Sequence, residues 1–513
     1  MNSSLNRVGA ALYSLPFTLY LPALTSLLLI LSYPKFNQGW LAWFALAPLT
    51  LAIWRAKDLK ETVLAGLAAG FFFYAGILYW IYPTMRVGGV NAPVSAFGLA
   101  ALSLVMSVEF ILVSAFGFYL KRLGPRAWPC AFALGWALLE YGKVYLSLKA
   151  VWFPWFMLGY TQWEYPSLIQ IVSLTGVYGL SAAVCFTGAL LGTLPLSWRG
   201  PCDAALRAAP AGMIFALILG YGRHELKLSA AVAPDKYLNA ALLQPCISLY
   251  DKWDAGKARG IQDEIEGMLA GLDSPDLILW PENALPGWID DPVYSRWLKE
   301  LSAGNKSWNV VGSVSRGDGR HVSAFLLNEE GEITASYNKR RLVPFGEYVP
   351  LRGFLGKFIT PVAALGEFME GAPAQKLFGL KGIKLGGAVC YESIFPYLFV
   401  SDAKAGAGAF FNITNDGWYL DTAAPYQHFL VNIFRAVETR RPVMRAANNG
   451  ISAVIDPWGR VLAKKDLNEA GVLTVRMPVY TAAAPSFYVS RGHWFINSCL
   501  LVFSAFLLAV ILV

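Results

Sequence analysis

The feature that most restricts this chain is where its charges are missing. Stretches without Asp, Glu, Lys or Arg occupy residues 8–34, 36–54, 62–85, 87–108, 165–198, 208–222 and 494–513. A helix rises 1.5 Å per residue, so about 20 apolar residues cross the hydrocarbon layer of a bilayer. Several of these stretches exceed that length, and with 56% hydrophobic and 15% charged residues over 513 positions the chain is too apolar for an ordinary soluble domain. Reading each stretch as one span, with a shorter aromatic segment at 127–141, predicts seven membrane helices before residue 223 and an eighth at the C-terminus. Residues 223–490 differ in kind. They carry strand-like apolar runs, Gly/Pro/Asn turns and dense charge, the pattern of a folded α/β domain in water. The expected organisation is therefore a seven-helix membrane domain over 1–222, an extramembrane domain over 223–490 and a final membrane helix over 491–513.

Short-loop Lys and Arg set the orientation, because such loops stay in the cytoplasm. The loops after helices two (Arg55, Lys57, Lys60), four (Lys121, Arg122, Arg126) and six (Arg199, Arg207) outweigh the opposite ones, which hold Lys35, Arg86, Lys143 and Lys149. Both termini are then cytoplasmic, with the large domain on the far side. The first apolar segment outruns a signal-peptide core, lacks a small-x-small cleavage site and precedes further spans, so it reads as an uncleaved helix. A net charge of +8 suits anionic lipid surfaces, and no nucleic-acid module is visible. The six cysteines (130, 185, 202, 246, 390 and 499) show no CxxC or Cys/His metal spacing, which argues against a disulfide framework and calls for no metal. Glu109 and Glu140 fall inside or at the ends of expected spans. An acid there is costly and either functional or hydrogen-bonded to protein.

Three strands of the extramembrane domain end in reactive groups. Leu277 to Trp280 reads as a buried strand stopped by Pro281, which leaves Glu282 at its C-terminal end, where α/β sheets present functional groups. A strand pair with a hairpin signal at Glu330-Gly331 leads to Lys339, followed by two arginines and Glu347. "IKLGGAVC" ends in Cys390, with a helix expected behind it, and a thiol at a helix N-terminus is expected to ionise more easily. Each residue alone also reads blandly: Glu282 as a loop charge, Lys339 as part of a solvated basic face, Cys390 as core. Together they form the inventory of acyl transfer. A carboxylate takes the thiol proton, the thiolate attacks a carbonyl, and a cation with backbone N–H groups holds the oxyanion.

"WPENALP", "NKRRLVPFGEYVP", "VCYESIFP", "NITNDGWY" and "RRPVMRAANNGISAVIDPWGRV", in that order and spacing, resemble the nitrilase superfamily of carbon–nitrogen hydrolases. Seven helices ahead of the domain and one behind it resemble the membrane branch of that superfamily that N-acylates lipoproteins. The resemblance implies an αββα sandwich and a triad of Glu282 as general base, Lys339 as oxyanion stabiliser and Cys390 as nucleophile. It also implies Glu347 as the acid that positions Lys339 or assists proton transfer, Tyr391 as a backbone N–H donor, and Glu392 as a structural or catalytic carboxylate. Trp253, in "LYDKWD", falls where the resemblance puts an aromatic residue near a lipid-accessible cleft; a domain-edge packing residue is the plainer reading. No cofactor is implied. The expected donor is a membrane phospholipid such as phosphatidylethanolamine, whose sn-1 acyl chain passes through a Cys390 thioester. The acceptor is the α-amine of the diacylglyceryl-cysteine at the N-terminus of an apolipoprotein. The setting is a bacterial inner membrane, with a monomeric, multi-pass chain whose catalytic domain faces the periplasm.

Segment 349–370 mixes Phe354, Leu355, Phe358 and Ile359 with Arg352 and Lys357, a combination suited to a membrane interface, or alternatively to a surface loop packing its own hydrophobes. Three competing readings remain. His428, within a helical pattern, offers a Cys/His pair as an alternative to the triad. A membrane-tethered amidase or nitrilase would act on a small carbon–nitrogen substrate. A transporter or assembly scaffold would not need Cys390.

Overall fold

The computed structural model describes residues 19–148, 152–197, 200–316, 318–349 and 368–512. The chain divides into two compact units. One takes the residues up to Lys227 with Thr422–Gln427 and Arg491–Val513; the other takes Leu228–Asp421 with His428–Ser490.

The first unit is helical. Among the described residues, four runs are long and apolar enough to cross a membrane: Ala92–Leu146, Val177–Leu196, Pro201–Ser229 and Trp494–Leu512. A pair bent by 47°, Leu59–Ile77 with Ile81–Val87, makes a fifth. Leu19–Ser32 is the described part of the expected 8–34 span, the expected 165–198 span holds Pro166–Thr175 ahead of Val177–Leu196, and the 36–54 stretch divides into Gly39–Leu41, Ala42–Ala45 and Ala47–Arg55. The boundary expected at Glu109 is absent, since Ala92–Met106 and Val108–Leu120 run almost end to end. The chain tolerates that acid because its charge is matched: Tyr74 Oη donates to it at 2.6 Å, Trp152 Nε1 at 2.8 Å, and Lys143 Nζ pairs with it at 3.1 Å. Glu140 is likewise buried and accepts from Trp136 Nε1 at 2.9 Å and the Leu158 N–H at 2.7 Å.

The second unit is built from two six-stranded sheets. The first has the order β12-β1-β2-β3-β4-β5: β1 (Lys236–Gln244), β2 (Leu277–Leu279), β3 (Trp308–Ser315), β4 (His321–Leu327), β5 (Ile333–Asn338) and β12 (Gly471–Val479). The second has the order β11-β10-β9-β8-β7-β6: β6 (Phe378–Leu380), β7 (Ile383–Val389), β8 (Ala409–Thr414), β9 (Val443–Ala447), β10 (Ser452–Ile455) and β11 (Val461–Lys465). Each sheet has three adjacent parallel strands, β1-β2-β3 and β7-β8-β9, flanked by antiparallel ones.

Side chains alternate across a strand, and here the two faces serve different cores. Leu238, Ala240 and Leu242 of β1, with Leu277 and Leu279 of β2, meet Leu385, Phe411, Ile413 and Met444 of the other sheet. The intervening Ala241, Leu243 and Ile278 turn outward onto helices α1 (Ala258–Leu269) and α2 (Pro292–Asn305). Ile261, Ile265 and Leu269 of α1 recur every fourth residue, which places them on one buried stripe. Asp291 caps α2 by accepting from the Val293 N–H at 2.9 Å. On the outer face of the second sheet, Phe399 of α3 (Pro396–Lys404) packs on Phe410 with ring centroids 4.9 Å apart. The order helix, sheet, sheet, helix is that of a sandwich.

Candidate active site

Four chain segments deliver polar groups from strand ends into one buried cluster. Glu282 lies three residues beyond β2, Lys339 directly follows β5, Cys390 directly follows β7, and Asn415 directly follows β8. Gly312 of β3 permits this packing: a Cβ there would sit 2.2 Å from the Pro281 carbonyl oxygen and 2.8 Å from Glu282 Cα. Cys390 has φ +54°, the left-handed region that a non-glycine residue seldom occupies, and this turns the chain sharply from strand to a short 3₁₀ turn, Cys390–Ile394.

The centre of the cluster is Lys339. Its ammonium donates to Glu282 Oε1 at 3.2 Å and to Glu347 Oε1 at 2.5 Å, so one cation stands between two carboxylates. The outer oxygens are held by backbone: Asn415 N–H donates to Glu282 Oε2 at 3.0 Å, and Val343 N–H to Glu347 Oε2 at 2.8 Å. Burial alone would pull the Lys339 ammonium down, but Glu282 and Glu347 more than offset that and hold it well above the usual lysine range. Lys339 is therefore a permanent cation. Burial pushes the Glu347 carboxyl up, against the pull of Lys339.

Cys390 departs from the sequence expectation. The thiol is only 6% exposed; burial, with the negative charge of Glu282, pushes it up, and the opposing pull of Lys339 and the Thr414 hydroxyl does not reverse this. A short 3₁₀ turn does not supply the dipole of a full helix. At rest the sulfur keeps its proton, so it needs a base at the moment of attack.

Glu392 is a clamp. It accepts from the Val389 N–H at 2.7 Å, the Arg340 N–H at 2.6 Å, the Arg341 N–H at 3.1 Å and Tyr337 Oη at 2.7 Å, thereby tying the end of β7 to the end of β5. Those are the strands that carry Cys390 and Lys339. The basic run is also not a solvated face at its start: Lys339 and Arg340 are buried, and Arg340 forms a two-pronged pair with Asp402 at 3.2 and 3.0 Å.

Residues 25–190 match the Apolipoprotein N-acyltransferase N-terminal domain family, and residues 239–485 match the Carbon-nitrogen hydrolase family. An apolipoprotein N-acyltransferase of Geobacter metallireducens is 36% identical over 490 residues, covering 93% of this chain and 92% of its own. The chain belongs to the apolipoprotein N-acyltransferase family. A second member, from Brucella melitensis, is 31% identical over 82% of this chain and 81% of its own. Among solved structures, an amidase from Nesterenkonia sp. AN1 is 21% identical over 52% of this chain and 98% of its own, with a TM-score of 0.39.

In this family member, Glu282, Lys339, Cys390, Tyr391 and Glu392 are buried, and the partly buried Glu347 joins them through Lys339. Trp253 is not buried with them. It is 53% exposed, with its ring 6.1 Å from that of Trp288, over which the Arg316 guanidinium lies at 4.2 Å. Phe354, Leu355 and Phe358 lie outside the described residues. His428 does not address the thiol. Its Nε2 lies 3.0 Å from the Cys390 carbonyl oxygen.

Sequence reasoning passed over Asn415, Asp416, Arg445 and Lys252. The first two sit in the quoted "NITNDGWY", right after a strand, which is the signal that could have found them. Lys252, beside Trp253, is 5% exposed, and burial pushes its ammonium down to about 7 even though Glu282 pulls it upward.

Proposed function

We propose that this chain is a phospholipid:apolipoprotein N-acyltransferase acting by a ping-pong mechanism through a Cys390 thioester. The observation that carries the reading is the Lys339 ammonium held between the Glu282 and Glu347 carboxylates beside a buried, protonated thiol. Glu282 takes the thiol proton as sulfur attacks the sn-1 ester carbonyl of a phospholipid, phosphatidylethanolamine being the expected donor. The oxyanion forms against Lys339 and the Tyr391 N–H. Collapse of the tetrahedral intermediate expels the lysophospholipid alkoxide, which recovers the proton from Glu282.

The second half-reaction runs the same path. The neutral α-amine of a diacylglyceryl-cysteine attacks the thioester, Glu282 accepts the amine proton, and the departing sulfur takes it back. The products are an N-acylated lipoprotein and free Cys390. Glu347 holds Lys339 in place, and Glu392 keeps the strand ends in register. A resting thiol with a permanent cation beside it favours this sequence, because the nucleophile is unmasked only when a base and a carbonyl are both in position.

The same reading assigns residues 1–222 to seven membrane helices, 223–490 to a periplasmic catalytic domain and 491–513 to an eighth helix, with both termini cytoplasmic in a bacterial inner membrane. Trp253 and the 349–370 segment, with Phe354, Leu355 and Phe358, are the proposed lipid contacts, and the working unit is a monomer. The tethered-amidase reading is weaker, because the resemblance to named N-acyltransferases extends over 93% of the chain, apolar helices included. The deciding experiment supplies purified protein with phosphatidylethanolamine and a diacylglyceryl-cysteine peptide. Lysophospholipid release with enzyme alone, followed by N-acylation only when the peptide is added, is the expected result. Turnover of a small amide with no lysophospholipid would favour the amidase.

A further inference from the structure

Behind the nucleophile lies a buried polar chain that the mechanism above does not use. His428 Nε2 lies 3.0 Å from the Cys390 carbonyl oxygen, which can only accept, so this nitrogen carries a proton and donates it. On the other side of the ring, Nδ1 lies 2.9 Å from Asp416 Oδ1 and 3.2 Å from Arg445 Nη2. Arg445 in turn donates to Asp416 Oδ2 at 2.7 Å and to Asn412 Oδ1 at 2.5 Å, and the Thr414 hydroxyl donates to Asp416 Oδ1 at 3.2 Å. Asn412 Nδ2 reaches the same Cys390 carbonyl at 3.4 Å.

His428, Asp416, Arg445 and Asn412 are all buried. A Cβ on Gly450 would lie 2.2 Å from Asp416 Oδ2, so the carboxylate occupies space that only glycine leaves. Placing this many polar groups in a core is costly unless each is satisfied, and here they converge on a single peptide group.

The identity of that peptide matters. Its oxygen is the Cys390 carbonyl, and its nitrogen carries the Tyr391 N–H assigned above to the oxyanion. A hydrogen bond to a peptide oxygen polarises the whole amide and strengthens its N–H as a donor. It also pins the positive-φ turn at Cys390 that presents the sulfur. We propose that His428, oriented by Asp416, is a positioning residue that locks the Cys390–Tyr391 peptide and sharpens its N–H for the oxyanion. The inference rests on the thioester reading above and assigns His428 no proton transfer with substrate.

The test measures acyl-enzyme formation by quenched intact-mass spectrometry on the full chain in detergent, with phosphatidylethanolamine varied, for the unchanged protein, His428→Ala, His428→Gln and Asp416→Asn. The expected result is a maximal acylation rate lowered about 10- to 100-fold in His428→Ala, short of the loss from deleting a direct oxyanion donor. The half-saturating donor concentration stays where it was. His428→Gln, which keeps an N–H for the carbonyl, recovers part of the rate, and aminolysis of preformed acyl-enzyme slows by a similar factor. A residue that merely supports the fold would lower the melting temperature and leave the rate per folded molecule alone. Folded His428→Ala acylating at the unchanged rate overturns this inference and leaves the thioester reading standing. No thioester on the unchanged chain overturns both.

Discussion

Two buried acid–lysine groups, one in each unit, use similar residues to different ends. In the helical unit, Lys143 meets Glu109 at 3.1 Å and donates also to the Phe156 carbonyl, while Tyr74 and Trp152 take up the rest of the carboxylate. Lys143 bonds one carboxylate, neutral donors complete the Glu109 shell, and the buried Glu140 lines the same cavity. In the sheet unit, Lys339 faces two carboxylates and a thiol, and the backbone rather than side chains holds the outer oxygens. The first lysine bonds one carboxylate directly and the second bonds two. A single ion pair makes a charge tolerable in an apolar bundle; a second carboxylate next to a protonated nucleophile provides somewhere for a proton to go.

The comparison breaks if Lys339 proves to be only structural. Lys339→Met is expected to slow Cys390 acylation by about 10³-fold, on the scale of losing the main oxyanion donor. Adding Glu347→Gln should recover stability, by removing one of two uncompensated carboxylates, without recovering the rate. Rapid-quench acylation and thermal unfolding, read on the same samples, separate the two effects.

In the helical unit the signs should reverse. Lys143→Met strands a buried carboxylate and should cost about 3–5 kcal/mol. Combined with Glu109→Gln it should return most of that stability, with acylation per folded molecule unchanged throughout. Unfolding of the detergent-solubilised protein measures this, and a rate loss that survives the double substitution would count against a purely structural pair.

A smaller effect is expected at Lys252. Its ammonium is pushed down to about 7 in the folded chain by burial, against the pull of Glu282, whereas the unfolded chain keeps the ordinary lysine value near 10.4. Between those values the unfolded state binds the extra proton, so this group makes the protein more stable as pH rises from about 7 towards 10. Below pH 7 the folded protein bears the full cost of burying the charge. Lys252→Met should therefore raise the melting temperature most at pH 6–7, with the gain shrinking as pH rises. A gain independent of pH would mean that the ammonium is not desolvated.

Glu282 and Cys390, two members of the proposed triad, stood out in the sequence because each ends a short apolar run, "LILW" before Pro281 and Glu282 and "IKLGGAV" before Cys390. Local sequence records where a strand stops. It does not record how a charge is solvated, so the thiol was expected to ionise easily, whereas burial and Glu282 hold its proton on. The same limit explains Glu109, which reads as a helix boundary until Lys143, 34 residues away, neutralises it. His428 was visible as a histidine in a helical pattern, but its target lies 38 residues earlier in the chain and is a backbone oxygen, which no side-chain pattern announces. An apolar count also does not record where a stretch divides into short helices, as 36–54 does around Leu46.

The central claim is that Cys390 carries the acyl chain. Intact-mass spectrometry of the purified protein after incubation with phosphatidylethanolamine, beside Cys390→Ser, tests it most directly. The account predicts one added acyl mass on the unchanged chain, removed by hydroxylamine, mapped to Cys390 and released onto an α-amine acceptor. An unmodified Cys390 with no lysophospholipid formed, or a hydroxylamine-labile acyl group located on another residue, would contradict it.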